Sequence, residues 1–208
     1  MRVNLKTDRQ TDRQTDRQTE HYNIIYADPA WRYKDKLSKK HGRITYQTMT
    51  LADICALPVP DLAADDAALF LWVTMPMIRE GLAVIDAWGF TYKTCAFTWI
   101  KMNGRSRLFF EPTNVFVGLG RWTRGNAELC LLATRGKPKR VSAGVRQVVL
   151  SPRQKHSEKP AEVRDRIVAL MGDLPRLELF ARHATPGWDI WGNEVDGSID
   201  LKAVSHAV

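Results

Sequence analysis

Cysteine is scarce in this sequence of 208 residues, and long apolar runs are absent. The three cysteines (Cys55, Cys95 and Cys130) are odd in number and far apart, which argues against a disulfide framework or a CxxC metal site and indicates reduced thiols in a cytoplasm. No apolar run approaches the ~18 residues of a membrane span, and segment 1–6 lacks the apolar centre of a signal peptide. We therefore expect a cytoplasmic protein with no membrane partner and no bound metal.

The composition is that of a globular protein with an excess of basic residues. Hydrophobic residues make up 44% and charged residues 26% of the chain, which excludes a wholly disordered protein. Lysine and arginine outnumber aspartate and glutamate by 31 to 23, and the resulting net charge of +8 favours a polyanionic partner. The length suits one domain. We place this domain at residues 22–197, between an arm at 1–21 and a tail at 198–208.

The arm contains a short repeat, since Thr-Asp-Arg-Gln occurs three times between Thr7 and Gln18. The repeat has no apolar residue to bury, so we expect the arm to be disordered. Its acidic and basic residues cancel, so it is not a basic arm for nucleic acid. A tetranucleotide repeat in the gene translates into a four-residue peptide repeat such as this one. We interpret the arm as a translated DNA tract, which makes repeat-number switching of the gene a hypothesis.

Within the domain, apolar runs alternate with amphipathic segments. We predict buried strands at residues 22–27, 67–73, 90–100, 115–119, 129–133, 177–180 and 188–191. Helices are predicted where Thr50 caps a short segment, where Pro76 begins one that Gly89 ends, and where Pro160 begins one that Gly172 follows. Strands interleaved with helices in this way predict an α/β domain with a mainly parallel sheet and helices on both faces.

The segment Asp28-Pro29-Ala30-Trp31 follows the first predicted strand, where open α/β sheets bind ligands. The exocyclic amine of a nucleobase is a poor nucleophile because its lone pair is conjugated with the ring. Two acceptors for its N–H groups draw the nitrogen toward tetrahedral geometry, and the Asp28 carboxylate and Pro29 carbonyl can be those acceptors. Trp31 can stack on an extruded base. The alternative is an ordinary acid-proline turn followed by a core tryptophan.

Residues 28–31 resemble the Asp-Pro-Pro-Trp signature of the MT-A seventy family of N6-adenine methyltransferases. Further segments resemble that family in the same order: 46–49, 69–74, 88–90, 99–101, 120–138, 156–160, 177–182 and 187–194. Ala30 stands where the family usually has a second proline. The resemblance implies a Rossmann-like methyltransferase fold in permuted order, with the catalytic motif first and the cofactor strand last.

The resemblance also implies S-adenosylmethionine as the cofactor. Its ammonium is assigned to Asp28 and its carboxylate to Lys159, while Asn193 and Glu194 match the pair that binds the ribose. The residues that match the adenosine pocket are Phe180, Arg182 and His183.

Charge indicates the substrate side, because three predicted loops are basic: 34–43, 101–107 and 135–146. Such loops neutralise phosphates while a base is extruded, and in this interpretation they converge on one face around Asp28. The first loop contributes Lys36, Lys39 and Lys40 as candidate contacts. For Tyr46 and for Glu128 alike, packing within the protein and contact with the target base are equally expected. The alternative for the loops is ordinary solvated charge.

We therefore expect a compact enzyme that transfers a methyl group directly from S-adenosylmethionine to the N6 amine of adenine. DNA is favoured over RNA, because the chain has no appended RNA-binding module and its brevity is typical of a bacterial or phage protein. The alternatives are an RNA adenine methyltransferase, a non-catalytic nucleic-acid-binding partner of the same fold, and a small-molecule methyltransferase, which the basic loops disfavour.

Overall fold

The structure is a computed structural model that describes residues 21–32, 48–104, 114–118, 120, 122–154 and 158–201. Its strands are β1 (Tyr22–Ala27), β2 (Ala63–Val73), β3 (Thr91–Met102), β4 (Ala127–Arg135), β5 (Val148–Pro152), β6 (Arg176–Leu179) and β7 (Asp189–Trp191). Its α-helices are α1 (Leu51–Cys55), α2 (Val59–Leu62), α3 (Ile78–Ala87) and α4 (Glu162–Met171), and a 3-10 turn at Met75–Met77 precedes α3.

The seven strands form one sheet in the order β5-β3-β4-β2-β1-β6-β7. Strand β4 runs antiparallel to both of its neighbours, whereas the other neighbouring strands pair in parallel. The parallel strands therefore share one carboxyl edge, where β4 begins. The predicted α/β fold with a mainly parallel sheet is confirmed.

Helices cover both faces of the sheet, as predicted. Alternate residues of β1 divide between two cores, with Ile25 on the face of α1, α2 and α3 and Tyr26 on the face of α4. The predicted core residues Phe70, Trp72 and Trp99 are buried on the α4 face. Trp88 is buried on the other face.

Local interactions explain where two of the helices lie. Thr50 caps α1 as predicted, because its hydroxyl accepts a hydrogen bond from the Asp53 N–H while the Asp53 carboxylate accepts from the Thr50 N–H. Arg164 fixes α4 to the sheet through two hydrogen bonds of 2.6 and 2.5 Å to the buried Glu178 carboxylate of β6. This paired charge holds the first turn of α4 against β6.

The predicted strand at 115–119 is not found in the described residues of that segment. There, Val115 forms only an isolated bridge to Met102. Strand β2 begins at Ala63 rather than at residue 67, since exposed Asp65 and Asp66 interrupt the apolar pattern that sequence analysis follows. The predicted arm at 1–21 lies almost wholly outside the described residues. Among the residues described, no helix is both long and apolar enough to span a bilayer.

Candidate functional site

The predicted site residues of the described chain gather at the carboxyl edge of the parallel strands. Asp28 follows β1, Phe180 follows β6, and Asn193 and Glu194 follow β7. Lys159 reaches the same edge from the segment that precedes α4. Ligands of open α/β sheets bind at this edge.

The loop after β1 is held in place by hydrogen bonds. The Trp31 N–H donates to the Pro29 carbonyl at 2.8 Å, which encloses Ala30 in a three-residue turn. The Met49 N–H donates to the Ala30 carbonyl at 2.9 Å, and the Trp31 indole N–H donates to the Trp72 carbonyl at 3.2 Å. The loop that presents Asp28 is therefore tied to β2 and to the segment before α1.

Trp31 is buried in the core on the face of α1 to α3, with its indole nitrogen already hydrogen-bonded. This placement favours an anchoring role for Trp31 over direct stacking on a base. The stacking role assigned from the sequence stays a prediction.

Four charged side chains form a row beside this loop, with the signs alternating. Lys159 donates a 2.6 Å hydrogen bond to Asp28 and lies 3.3 Å from a Glu128 oxygen. Lys101 in turn pairs with the other Glu128 oxygen. The Lys159 and Lys101 ammonium groups also lie 5.5 and 5.0 Å from the ring centroids of Trp72 and Trp99. We call Asp28, Lys159, Glu128 and Lys101 the charge row.

Burial and neighbouring charges shift the pKa values in the row. Burial raises the pKa of Asp28 above its ordinary value, although the Lys159 ammonium opposes this effect. Burial acts on Glu128 in the same direction, but the ammonium groups of Lys159 and Lys101 outweigh it and hold the pKa of Glu128 below its ordinary value. Burial disfavours the Lys159 ammonium, yet the carboxylates of Asp28 and Glu128 outweigh this and raise its pKa, so Lys159 stays protonated.

A second group of predicted residues lies at the ends of β6 and β7. The Ala181 N–H donates to the Trp191 carbonyl at 2.9 Å, which joins the segments carrying Phe180 and Asn193. Gly192 permits this approach, since a Cβ there would meet the Ala181 carbonyl oxygen at 2.1 Å. Phe180 has φ of +64°, a strained conformation for a non-glycine residue, and its ring packs edge-on against Trp191 at 5.3 Å.

Arg182 and His183 follow Phe180 toward the charge row. The Arg182 guanidinium lies close enough to act on the Asp28 carboxylate, whose pKa it lowers against the dominant effect of burial. His183 is exposed, with its Nδ1 3.9 Å from a Glu158 oxygen. Asn193 and Glu194 are exposed at the same edge. The structure thus brings the predicted cofactor residues within one region beside Asp28.

Several predicted substrate contacts lie outside the described residues, namely Tyr46, Lys36, Lys39 and Lys40. Glu128 lies within them and is buried in the charge row. Its burial favours a role behind the site, and its contact with a base stays a prediction.

The third basic loop does not converge on Asp28, which corrects the arrangement expected from the sequence. Because β4 is antiparallel, Arg135 at its end pairs with Ala67 near the start of β2, at the edge opposite Asp28. The Lys137 N–H donates to Asp66 at this opposite edge. The apolar pattern of β4 does not indicate the direction of the strand. The position of the third basic loop at the edge opposite Asp28 could therefore not be predicted from the sequence.

Two features of the site were not predicted from the sequence. The first is the joint pairing of Lys159 with Asp28 and Glu128, which depends on residues more than 100 positions apart. The second is the fully exposed Trp122, at the same edge as Asp28. Its position in a segment with two arginines and no acidic residue is a signal that could have identified it.

Comparisons with known proteins identify the family that this chain resembles. A family model described as MT-A70 matches residues 22–194. A type II methyltransferase, M.MunI from Mycoplasma sp, is 35% identical over 201 residues, which cover 86% of this chain and 81% of that protein. The human N(6)-adenosine-methyltransferase catalytic subunit METTL3 is 28% identical over 85% of this chain and 28% of its own length. The N6-methyladenosine RNA methyltransferase MTA1 of Pyricularia oryzae is 30% identical, over 84% of this chain and 47% of its own length.

Proposed function

The chain belongs to the MT-A70 family, and on this basis we propose that it transfers a methyl group from S-adenosylmethionine to the N6 amine of adenine in nucleic acid, with DNA as the favoured substrate. The observation that carries the proposal is the placement of Asp28 and Pro29. Both lie at the carboxyl end of β1, in a loop held by hydrogen bonds, beside a buried ammonium.

Asp28 and Pro29 act on the substrate amine by accepting its two N–H groups. The Asp28 side chain is 25% exposed to solvent, so a ligand can reach the carboxylate. The Pro29 carbonyl accepts one hydrogen bond from the Trp31 N–H, and a second lone pair remains for the amine. Two fixed acceptors favour the tetrahedral nitrogen that attacks over the planar one that does not. Trp31 contributes by anchoring the loop.

The residues at this edge fit the groups of S-adenosylmethionine. When bound, the cofactor supplies a methyl group activated by a sulfonium. Lys159 would hold its carboxylate and Asp28 its ammonium, while Asn193 and Glu194 offer oxygens to the ribose hydroxyls. Phe180, Arg182 and His183 would surround the adenosine. The fit rests on the chemistry of this set: a buried cation, two acids, an amide and an aromatic ring on neighbouring segments.

DNA is favoured because the similarity covers very different shares of the relatives' own lengths. M.MunI, whose name mentions neither adenosine nor RNA, is matched over 81% of its length. The relatives named for adenosine or RNA are matched over 28% and 47% of theirs, so most of each lies outside the similarity. Lys36, Lys39 and Lys40, together with the aromatic Tyr46, are proposed as further contacts with the nucleic acid, since all four follow the Asp28 loop in the sequence.

The experiment is a comparison of Asp28→Asn with Asp86→Asn in transfer from labelled S-adenosylmethionine to plasmid DNA that lacks N6-methyladenine. Asp28→Asn removes one charged acceptor, and we expect the rate of transfer to fall ~10²-fold or more with folding retained. Asp86 is exposed near the end of α3, so its variant should match the wild type. Wild-type transfer by the Asp28 variant would reject the catalytic assignment. Cofactor and DNA binding without transfer by the wild type would instead indicate a non-catalytic binding protein.

A further inference from the structure

Trp122 is a tryptophan at the edge of the site to which the proposed function assigns no role. Its side chain is 99% exposed, whereas Trp31, Trp72, Trp88, Trp99 and Trp188 are buried. An indole left wholly in water by the fold buries nothing within the chain. Single exposed apolar residues are common on protein surfaces, so the loop and the charges around Trp122 decide which contact its ring can make.

Trp122 lies at the tip of a loop that extends beyond the sheet on the side of Asp28. The Phe116 N–H donates to the Lys101 carbonyl at 2.7 Å, and the Lys101 N–H donates to the Asn126 carbonyl at 2.9 Å. The Gly118 N–H donates to the Gly125 carbonyl at 3.1 Å, which closes the base of the tip. The loop is therefore joined to the end of β3 by hydrogen bonds and leads from Asn126, two residues before Glu128 of the charge row, into the start of β4.

The turn at the tip is tight. A Cβ on Gly120 would meet the Thr123 carbonyl oxygen at 1.8 Å, and a Cβ on Gly118 would meet the Gly125 carbonyl oxygen at 2.1 Å. Glycine at both positions allows the backbone to approach itself this closely. Trp122 therefore lies in a narrow turn between Gly120 and Thr123, with its ring exposed to solvent.

The residues around Trp122 indicate which class of ligand its ring would contact. Residues 114–126 contain two arginines and no acidic residue. Arg124 is exposed, and the exposed Arg153 lies with its guanidinium 3.6 Å from the Phe116 ring centroid, at the base of the same loop. An aromatic ring beside basic side chains is the combination that binds single-stranded or unpaired nucleotides, since the ring stacks on a base while the cations neutralise phosphates.

We propose that Trp122 stacks on a nucleobase adjacent to the target adenine and holds the strand while the adenine enters the site, with Arg124 contacting a phosphate. This inference rests on the proposed function and adds to it a positioning residue for the substrate. An extruded adenine leaves a neighbouring base without its stacking partner, and an exposed indole at the same edge can replace that partner.

The test compares Trp122→Ala and Trp122→Phe with Tyr92→Ala as the matched control. Tyr92 is an exposed aromatic residue, at 45%, near the start of β3 and so at the opposite edge. Binding of a random-sequence single-stranded DNA pool and methylation of plasmid DNA are measured for each variant. We expect Trp122→Ala to weaken binding and raise KM on the order of 10-fold. Trp122→Phe should retain most of both, and Tyr92→Ala should match the wild type.

Fluorescence supplies an independent readout. Iodide should quench Trp122 most strongly because five other tryptophans are buried and Trp191 is half-buried, and DNA should protect Trp122 from iodide. Wild-type methylation with unchanged DNA binding and KM in Trp122→Ala would overturn this inference and leave the proposed function intact. A change in oligomeric state in that variant, with DNA binding unchanged, would also overturn it by assigning Trp122 to a contact between copies. A wild type that neither binds nor methylates nucleic acid would overturn both proposals.

Discussion

Replacing Lys159 with methionine should destabilise the protein, and by an amount that depends on pH. The Lys159 side chain is 7% exposed and lies between the carboxylates of Asp28 and Glu128. Its removal leaves Asp28 without its ammonium partner and leaves Glu128 with Lys101 alone. Removing one partner of a buried ion pair costs about 3–5 kcal/mol. For a chain of this size, about 3 kcal/mol corresponds to a fall in Tm of about 6–12 °C.

The loss should be smaller in acid. Without Lys159, the two neighbouring carboxylates disfavour each other's ionisation, so at least one folded-state pKa rises above its unfolded value. A carboxyl group whose pKa is higher in the folded than in the unfolded protein destabilises the fold when the pH is above its folded-state pKa. It has no such effect when the pH is below its unfolded-state pKa. In the wild type, the lowered pKa of Glu128 has the opposite effect, since its stabilising contribution is lost as the pH falls. Both effects reduce the difference between variant and wild type as the pH decreases.

Urea unfolding followed by circular dichroism at about pH 8 and about pH 5 measures this difference. Lys101→Met is the control, because the Lys101 side chain is 19% exposed and Glu128 keeps Lys159 in that variant. We expect Lys159→Met to lose more stability than Lys101→Met at the higher pH and to recover part of the loss at the lower. An equal loss at both pH values, or a loss no larger than that of Lys101→Met, would refute this account of the charge row.

Two further predictions concern the loop that carries Asp28. Ala30→Pro should be tolerated and should stabilise the protein by up to ~1 kcal/mol, because the turn between Pro29 and Trp31 gives its central residue a φ close to that of proline. Thermal unfolding measures the change in stability. An unfolded or inactive variant would show that the loop cannot accept the proline. Activity should decline in acid at a pH above the ordinary range of aspartate, because burial raises the pKa of Asp28, whose ionised form is the proposed acceptor. The negative charge of Glu128 adds to that rise, so the acid limb of the kcat/KM profile should move to lower pH in Glu128→Gln; a limb that stays in place or moves upward would contradict the assignment of that limb to Asp28.

Local patterns in the sequence were sufficient to predict much of the sheet and its helices. The apolar run of β1 ends at Ala27, as predicted, and the acid-proline pair Asp28-Pro29 follows it. The capping pair of Thr50 and Asp53 and the glycine after α4, with φ of +92°, likewise mark helix ends through chemistry confined to a few residues. Such features require no knowledge of distant parts of the chain.

Features that depend on long-range pairing were not predictable in this way. An apolar strand has the same residue pattern in either direction, so the reversal of β4 and the resulting position of Arg135 could not be inferred. The burial of Trp31 depends on a carbonyl of β2, 41 residues away in sequence. The charge row depends on Lys159 meeting Asp28 across 131 residues, and its electrostatics follow from that meeting.

The central claim is tested most directly by identifying the methylated product. The protein is incubated with S-adenosylmethionine that carries a labelled methyl group. Parallel reactions contain either plasmid DNA free of N6-methyladenine or RNA transcribed from the same sequence. The nucleic acids are digested to nucleosides and analysed by mass spectrometry. We predict labelled N6-methyldeoxyadenosine from the DNA, in excess over labelled N6-methyladenosine from the RNA, and a yield of either product lower by ~10²-fold or more with Asp28→Asn. Label on cytosine or on another position of adenine, or no label on either nucleic acid while the cofactor is bound, would contradict the account.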